Sequence, residues 1–238
     1  MGPDQDPIEF LSAHSPFIGV TPDAMKTIAS RCRPRSQRPG ASLFREGEPC
    51  RDLYVLVAGR VKCFRVSPEG REQILKIFER PGEIFCATSA FSTGSHIVTA
   101  EAMSEVSLYV IDVETMKRIA FDQPAVALAL VTATGDQMRS LVSLADDLSL
   151  KTATTRVAKL LWERARAHGG RKGKEVRLPR ASLREDDIAA IVGTVRVHVS
   201  RSLKSLATMG AITVDRDTIC IKDVEALAGF LRAVEPEA

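Results

Sequence analysis

At 238 residues, with 45% hydrophobic and 26% charged side chains, the chain has the composition of a soluble globular protein and the length for two domains with real cores. No apolar run approaches the roughly 18 residues of a membrane-spanning helix, the most apolar stretch lying near Pro124 to Val131, and the N-terminus carries no basic and apolar signal pattern, so a cytoplasmic protein without a membrane partner is expected. The formal charge of +3 is split unevenly, with 16 Lys and Arg against 19 Asp and Glu up to Leu148 and 17 against 11 after it, which suits a basic nucleic-acid reader attached to a slightly acidic domain but also fits an ordinary uneven surface.

In chain order, residues 8 to 33 are predicted helical, with Phe10, Leu11, Phe17, Ile18, Met25 and Ile28 as packing residues and Thr21-Pro22-Asp23 as a helix start. From Arg35 to Val113 the pattern becomes short strands between glycine and proline turns: Ser42 to Phe44, Leu53 to Val57, Arg60 to Val66, Gln73 to Phe78, Ile84 to Phe85, His96 to Ala102 and Glu105 to Ile111. Many short strands at near-regular spacing predict an antiparallel β-roll or barrel. From Val113 to Asp147 a helix is predicted, with Val126, Leu130, Ala133, Gln137, Leu141, Leu144 and Leu148 in a three-four repeat. That seam either packs on its own barrel or joins a second copy. Lys151 to His168 is a further amphipathic helix, followed by a basic loop from Gly169 to Lys174 that is either solvated or set against phosphates.

Leu183 to Ile212 has the form of two short helices joined at Gly193. Ile188, Ala189, Ile191 and Val192 fall at helical spacing, and Val195, Val199, Leu203 and Leu206 seat a second helix. Its other face carries Thr194, Arg196, Val197, His198, Ser200, Arg201 and Lys204, the residue types that meet base edges and phosphates. An ordinary helical hairpin with a basic face has the same spacing, but Ala211 to Ile221 alternates about a turn at Asp215, Arg216 and Asp217, which adds a two-stranded wing. Ser182-x-x-Glu185 offers a capping box at the start of the pair.

The cysteines, at 32, 50, 63, 86 and 220, are odd in number and lack a Cys-x-x-Cys, so neither a disulfide framework nor a zinc knuckle is indicated. No phosphate loop, His-Glu-x-x-His or Gly-x-Ser-x-Gly is present, and the four histidines, at 14, 96, 168 and 198, are scattered. An enzyme is not expected, and no residue is assigned a catalytic role.

Gly40, the Phe44-Arg45-Glu46-Gly47-Glu48 turn, the Leu53 to Val61 strand pair, the Glu69-Gly70-Arg71-Glu72 hairpin and Pro81-Gly82-Glu83-Ile84-Phe85 resemble the cyclic-nucleotide-binding domain. Joined to the winged helix pair, they make the chain resemble the Crp/Fnr family of bacterial transcription regulators over residues 10 to 232. The resemblance implies an α+β fold: an effector-sensing β-barrel over 8–118, a dimerisation helix and hinge over 119–148 with the hinge at Asp146-Asp147, and a winged helix-turn-helix over 149–238. It further implies a homodimer on a two-fold symmetric site in double-stranded DNA, with RNA polymerase as a further partner. The alternative is a regulatory scaffold whose C-terminal domain contacts protein.

The same resemblance places the effector near Gly82, Glu83, Phe85, Cys86, Thr88, Ser89, Leu141 and Val142. Cyclic-AMP-responsive members follow this segment with Gly-Glu-Leu and an Arg-Ser pair; here Cys86-Ala87-Thr88 and His96-Ile97 stand there, without a carboxylate or guanidinium, which argues against cyclic AMP. The N-terminal cysteine cluster of the iron-sulfur members is also absent. Cys86 does stand where the carbon-monoxide-sensing branch has a haem-ligating cysteine, which makes haem a candidate cofactor, with Cys86 as iron ligand and His96 as a weaker second. The plain alternative is a buried thiol. On the reading helix, relatives carry Arg-Glu-x-x-x-Arg, matched here by Arg196, Val197 and Arg201; valine cannot accept a hydrogen bond from cytosine, so the half-site is expected to differ at that base. Thr194, Ser200 and Lys204 are assigned to phosphates.

Overall fold

The computed structural model describes residues 6–14, 16–171 and 174–234. Lys172 and Gly173 of the basic loop lie outside these. The chain divides into two compact units, one of residues 1–65 and 75–142 and one of residues 66–74 and 143–238.

In the first unit, α1 (Pro7–His14) and α2 (Pro22–Arg31) occupy the stretch expected to be helical, and α2 starts at the expected Thr21-Pro22-Asp23, where Thr21 caps it by accepting a hydrogen bond from the Ala24 amide. Eight strands follow: β1 (Arg33–Gln37), β2 (Ser42–Phe44), β3 (Asp52–Ala58), β4 (Val61–Val66), β5 (Glu72–Phe78), β6 (Ile84–Phe85), β7 (Thr99–Ala102) and β8 (Val106–Asp112), with the short helix α3 (Ala87–Phe91) after β6. They form two four-stranded sheets, ordered β1-β8-β3-β6 and β2-β7-β4-β5. β7 starts at Thr99, three residues later than His96, because the His96 amide is taken by Glu48 O and its carbonyl by the Gly47 amide, both in the loop after β2.

β3 shows why the roll forms. Leu53, Val55 and Val57 enter one core, with α1, α2 and residues of the later helices, while Tyr54 and Leu56 enter the core between the sheets. A strand buried on both faces needs an unbroken apolar run rather than alternation. β3 pairs with β8 in the register Leu53↔Ile111, Tyr54↔Val110 and Leu56↔Leu108. At the tight turn after β3, Gly59 has φ +93°, and a Cβ there would lie 2.2 Å from the Glu105 carbonyl oxygen, so only glycine fits.

The expected helix over Val113–Asp147 is two. α4 (Val113–Asp122), capped by Asp112 through the Thr115 amide, ends where Pro124 lacks the N–H that would continue it. α5 (Pro124–Leu150) then runs through Asp146-Asp147, and the break falls at Lys151-Thr152 instead. Asp147 stays helical because it is held by Lys151 at 3.2 Å and Lys159 at 2.5 Å.

The second unit holds α6 (Ala153–Ala167), β9 (Val176–Pro179), a 3₁₀ turn (Arg180–Ser182), α7 (Glu185–Val192), α8 (Arg196–Thr208), β10 (Ile212–Val214), β11 (Thr218–Ile221) and α9 (Val224–Val234). The wing is three-stranded, ordered β10-β11-β9, rather than two-stranded: β9 adds through Leu178↔Ile219 and Val176↔Ile221. Its turn is closed by Asp215, whose Oδ1 accepts from the Asp217 and Thr218 amides at 2.9 and 2.7 Å. The expected capping box does not form. Ser182 Oγ donates to Pro179 O beside the 3₁₀ turn, and α7 begins at Glu185 with Arg184 as an N-cap whose side chain does not cap the helix.

Candidate functional site

The α7–α8 corner depends on Gly193, which ends α7 at φ 67°, ψ 50°. An added Cβ would also fall 2.3 Å from Leu148 Cδ2. Left-handed backbone strains an L-residue by about 1–2 kcal/mol, so Gly193→Ala is expected to destabilise the second unit by at least about 1 kcal/mol in urea unfolding. Arg156 on α6 braces the same corner from behind. Its guanidinium donates to Val192 O at 2.7 Å, Gly193 O at 3.2 Å, Lys151 O at 2.7 Å and Asp147 O at 3.4 Å, tying the end of α7 to the end of α5.

α8 buries Val199, Ser202, Leu203 and Leu206, with Ser202 Oγ bonded to Thr154 Oγ1 on α6 at 3.0 Å. Arg196, Val197, His198, Arg201 and Lys204 are exposed and Ser200 is half-buried. Val197, Arg201, Lys204 and the exposed Ser205, absent from the sequence expectation, fall on one stripe at helical spacing. Two positions differ from expectation. Val195 is the exposed N-cap rather than a core residue, and Thr194 is buried, its hydroxyl 3.2 Å from His198 Nδ1, so it orients the histidine instead of facing outward. Arg196 meets Glu185 and Asp186 at 3.5 Å each. Such an exposed pairing is worth only about 0.2–1 kcal/mol, less than the roughly 1–3 kcal/mol of a bidentate guanine contact, so the arginine can be drawn off by a base.

In the first unit, a cavity of about 170 Å³ lies between the roll and α5. Phe44, Phe78, Phe85, Ile97, Met138 and Leu141 supply most of its apolar wall, with Cys63, Cys86, Thr88 and Ser89 beside them. Of the expected effector residues, Phe85, Cys86, Thr88, Ser89 and Leu141 are thus brought together. Gly82 and Glu83 line a separate, more polar cavity of about 320 Å³, and Val142 lines neither. Glu83 is already occupied: its carboxylate accepts from the Glu79 and Arg80 amides at 3.0 and 2.9 Å and from the Arg80 guanidinium at 2.9 Å. Burial would raise this carboxyl, but those donors and Lys76 outweigh it and hold it below its ordinary value. Among the described residues Lys76 is the only charged one lining the 170 Å³ cavity, and it is engaged by Ser140 Oγ at 3.4 Å and Glu83 at 3.7 Å.

Residues 34–123 match the cyclic nucleotide-binding domain model and residues 155–230 the Crp-like helix-turn-helix domain model. The chain is 30% identical over 220 residues to a CRP-like cAMP-activated global transcriptional regulator of Mycobacterium tuberculosis, covering 92% of this chain and 97% of that one. The chain belongs to the Crp/Fnr family of transcription regulators. Its fold matches FixK2 from Bradyrhizobium japonicum with a TM-score of 0.70 at 25% identity, covering 87% of this chain and 98% of that one. It matches a mutant of CooA from Carboxydothermus hydrogenoformans with a TM-score of 0.67 at 26% identity, covering 85% and 88%.

As a Crp/Fnr regulator the chain is a DNA-binding protein rather than an enzyme, and the family sets aside the scaffold alternative. The cavity does not suit a cyclic phosphate: Ile97 lines the wall near the place that the family resemblance gives to a cation, and Lys76 is already paired. Haem does not fit either. The cavity is close in size to the roughly 150 Å³ that takes a benzene ring, far short of a tetrapyrrole. Burial pushes the Cys86 thiol well above its ordinary value, and the neighbouring Cys50 adds to this, so it is a poor source of the thiolate that iron takes. His96 does not line the cavity; it is stacked on Phe44 at 3.7 Å between ring centroids.

Proposed function

We propose that this Crp/Fnr regulator is a homodimer whose DNA affinity is set by a small, neutral, apolar effector in the cavity closed by Met138 and Leu141, and not by cyclic AMP or haem. The observation that carries the reading is the second role of Met138. The seam expected from the sequence packs largely on its own roll: Val126 and Leu130 are buried, and Gln137 Nε2 donates to Ile84 O at 2.8 Å. Another three-four repeat, Leu128, Val131, Gly135, Met138, Val142 and Ala145, is exposed along α5, with Val131 66% and Met138 62% accessible. This stripe supports a parallel helix pair, with Gly135 permitting close approach. Met138 belongs to the stripe and to the cavity wall. An effector that fills the cavity therefore bears on the residue that positions the partner helix, and linkage requires DNA to tighten the effector by the same factor.

The dimer presents two α8 helices to half-sites about 34 Å apart. Arg196 and Arg201 each grip guanine, Ser200 and Lys204 hold phosphates, and His198 is set by Thr194. Bound there, the protein recruits or blocks RNA polymerase in the cytoplasm. Val197 leaves its base without a hydrogen-bond acceptor, so Val197→Glu is expected to restore a cytosine preference of about 1–3 kcal/mol; binding-site selection giving identical half-sites for both proteins would remove Val197 from recognition.

The effector is tested by fluorescence anisotropy of a selected DNA site with indole, benzyl alcohol and cyclohexanol as probes, beside cyclic AMP and haem. A shift of about 5–150-fold with an apolar probe, reduced by Leu141→Trp, is expected. A shift with cyclic AMP, or a stoichiometric Soret band altered by Cys86→Ala, would overturn the reading.

A further inference from the structure

Two thiols meet where β6 passes into α3. The Cys50 thiol donates to the Cys86 carbonyl oxygen at 3.9 Å, which sets its sulfur beside the Cys86 residue. The antiparallel pairing of Tyr54 with Phe85 brings these segments together across 36 residues of chain. Cys86 sits at φ 75°, ψ 0°, the only non-glycine residue with positive φ among the described residues. Such a conformation persists only where the surroundings over-determine it. None of this serves DNA reading, and neither thiol is needed to make the cavity wall apolar.

We propose that Cys50 and Cys86 form a dithiol that a hydroperoxide oxidises to an intramolecular disulfide, a modification site on the wall of the 170 Å³ cavity. The geometry can close because neither cysteine belongs to a strand: Cys50 follows the exposed turn from Arg45 to Pro49, and Cys86 is the N-cap of α3. The two sulfurs also differ in the way that the chemistry needs. The neighbouring Cys86 side chain, aided by Lys117, draws the Cys50 thiol below its ordinary value against the opposing effects of burial and Asp52. Burial holds Cys86 high. Cys50 is therefore the attacking thiolate and Cys86 the resolving thiol.

In the first step the Cys50 thiolate attacks one peroxide oxygen, the O–O bond breaks, and the other oxygen leaves with a proton as water or an alcohol. Cys50 is then a sulfenic acid. In the second, the Cys86 sulfur attacks Cys50 Sγ, the S–S bond forms, the S–O bond breaks, and hydroxide leaves as water with the Cys86 proton. Two thiols lose two electrons and the peroxide gains them. Cys32 and Cys63 are poor competitors, since burial pushes both up to about 12.

The test uses reduced full-length protein treated with one equivalent of hydrogen peroxide, then thiol alkylation, intact mass and peptide mapping. The expected result is loss of two of the five reactive thiols, a mass lower by two hydrogen atoms, and one cross-linked peptide pair containing Cys50 and Cys86, reversed by a dithiol reductant. Cys86→Ser is expected to stop at a sulfenic acid on Cys50 that dimedone traps, and Cys50→Ser to block oxidation of Cys86, with circular dichroism confirming that both variants fold. A Cys63–Cys86 link, an inter-chain link, or five thiols still reactive after treatment would each overturn the proposal.

Discussion

Replacing Arg156 with methionine is expected to destabilise the C-terminal unit by about 3–4 kcal/mol and to weaken DNA binding even at saturating protein. The side chain donates to four backbone carbonyls, at Val192, Gly193, Lys151 and Asp147. A hydrogen bond from a charged donor is worth roughly 1.5–3 kcal/mol; two of the four share Nη1 and one is 3.4 Å long, so the sum is well below four full bonds. Methionine keeps much of the packing but leaves four part-buried acceptors without this donor. Domains are stable by only about 5–15 kcal/mol, so the loss is a large share of the total. Trp162, the sole tryptophan, packs on the core of this unit, and its fluorescence in urea reports the change directly. Arg216→Met on the exposed wing turn is the control, expected within about 0.5 kcal/mol of the parent. A loss at Arg156 no larger than the control's would mean that the α7–α8 corner is held by Gly193 and the apolar core alone.

Arg156 shows where sequence reasoning stops. Helical periodicity places it on α6, but its partners are carbonyls at the ends of two other helices, and carbonyls have no sequence signature. Periodicity also failed to choose between the stripes on α5. Val126-Leu130-Ala133-Gln137 and Leu128-Val131-Gly135-Met138 both satisfy a three-four repeat, and only the packing of α5 on the roll decides which is free. Thr194 departs from expectation for a related reason: it lies two residues before α8 begins, in the turn, where helical spacing no longer sets the direction of a side chain. By contrast the roll was legible. A run such as Leu53 to Val57 is buried on both faces, and the glycines at 40, 47, 59 and 70 that punctuate the strands all take positive φ. The break at Pro124 was legible in principle, since proline at a first helical position starts a helix as readily as it interrupts one. The Cys50–Cys86 contact has no local signature in the sequence, because it follows from the pairing of Tyr54 with Phe85 and Val55 with Ile84.

The largest effect on DNA is expected at Arg196 and Arg201. Each to alanine should weaken binding to a selected two-fold site by about 1–3 kcal/mol per half-site contact, roughly 5–150-fold, and relax the preference at one base. The two should not be equal. Arg196 stands beside Glu185 and Asp186 at 3.5 Å, so its removal exposes two carboxylates to the phosphates as well as losing the guanine contact. Arg201 makes no ion pair among those described, and its loss removes only the base contact. Arg196→Ala is therefore expected at the high end of the range, with Glu185→Gln in the same chain recovering part of the loss and Arg201→Ala unaffected by that second change. Lys204→Ala should act differently, weakening specific and random duplexes alike and flattening the slope of log affinity against log salt by about one unit per lost phosphate contact. Anisotropy titrations on the selected site and on random duplex, at several salt concentrations, separate these outcomes. If Arg201→Ala weakens both duplexes equally and flattens the salt slope, Arg201 binds phosphate, and the base-reading role falls to Arg196 and the wing.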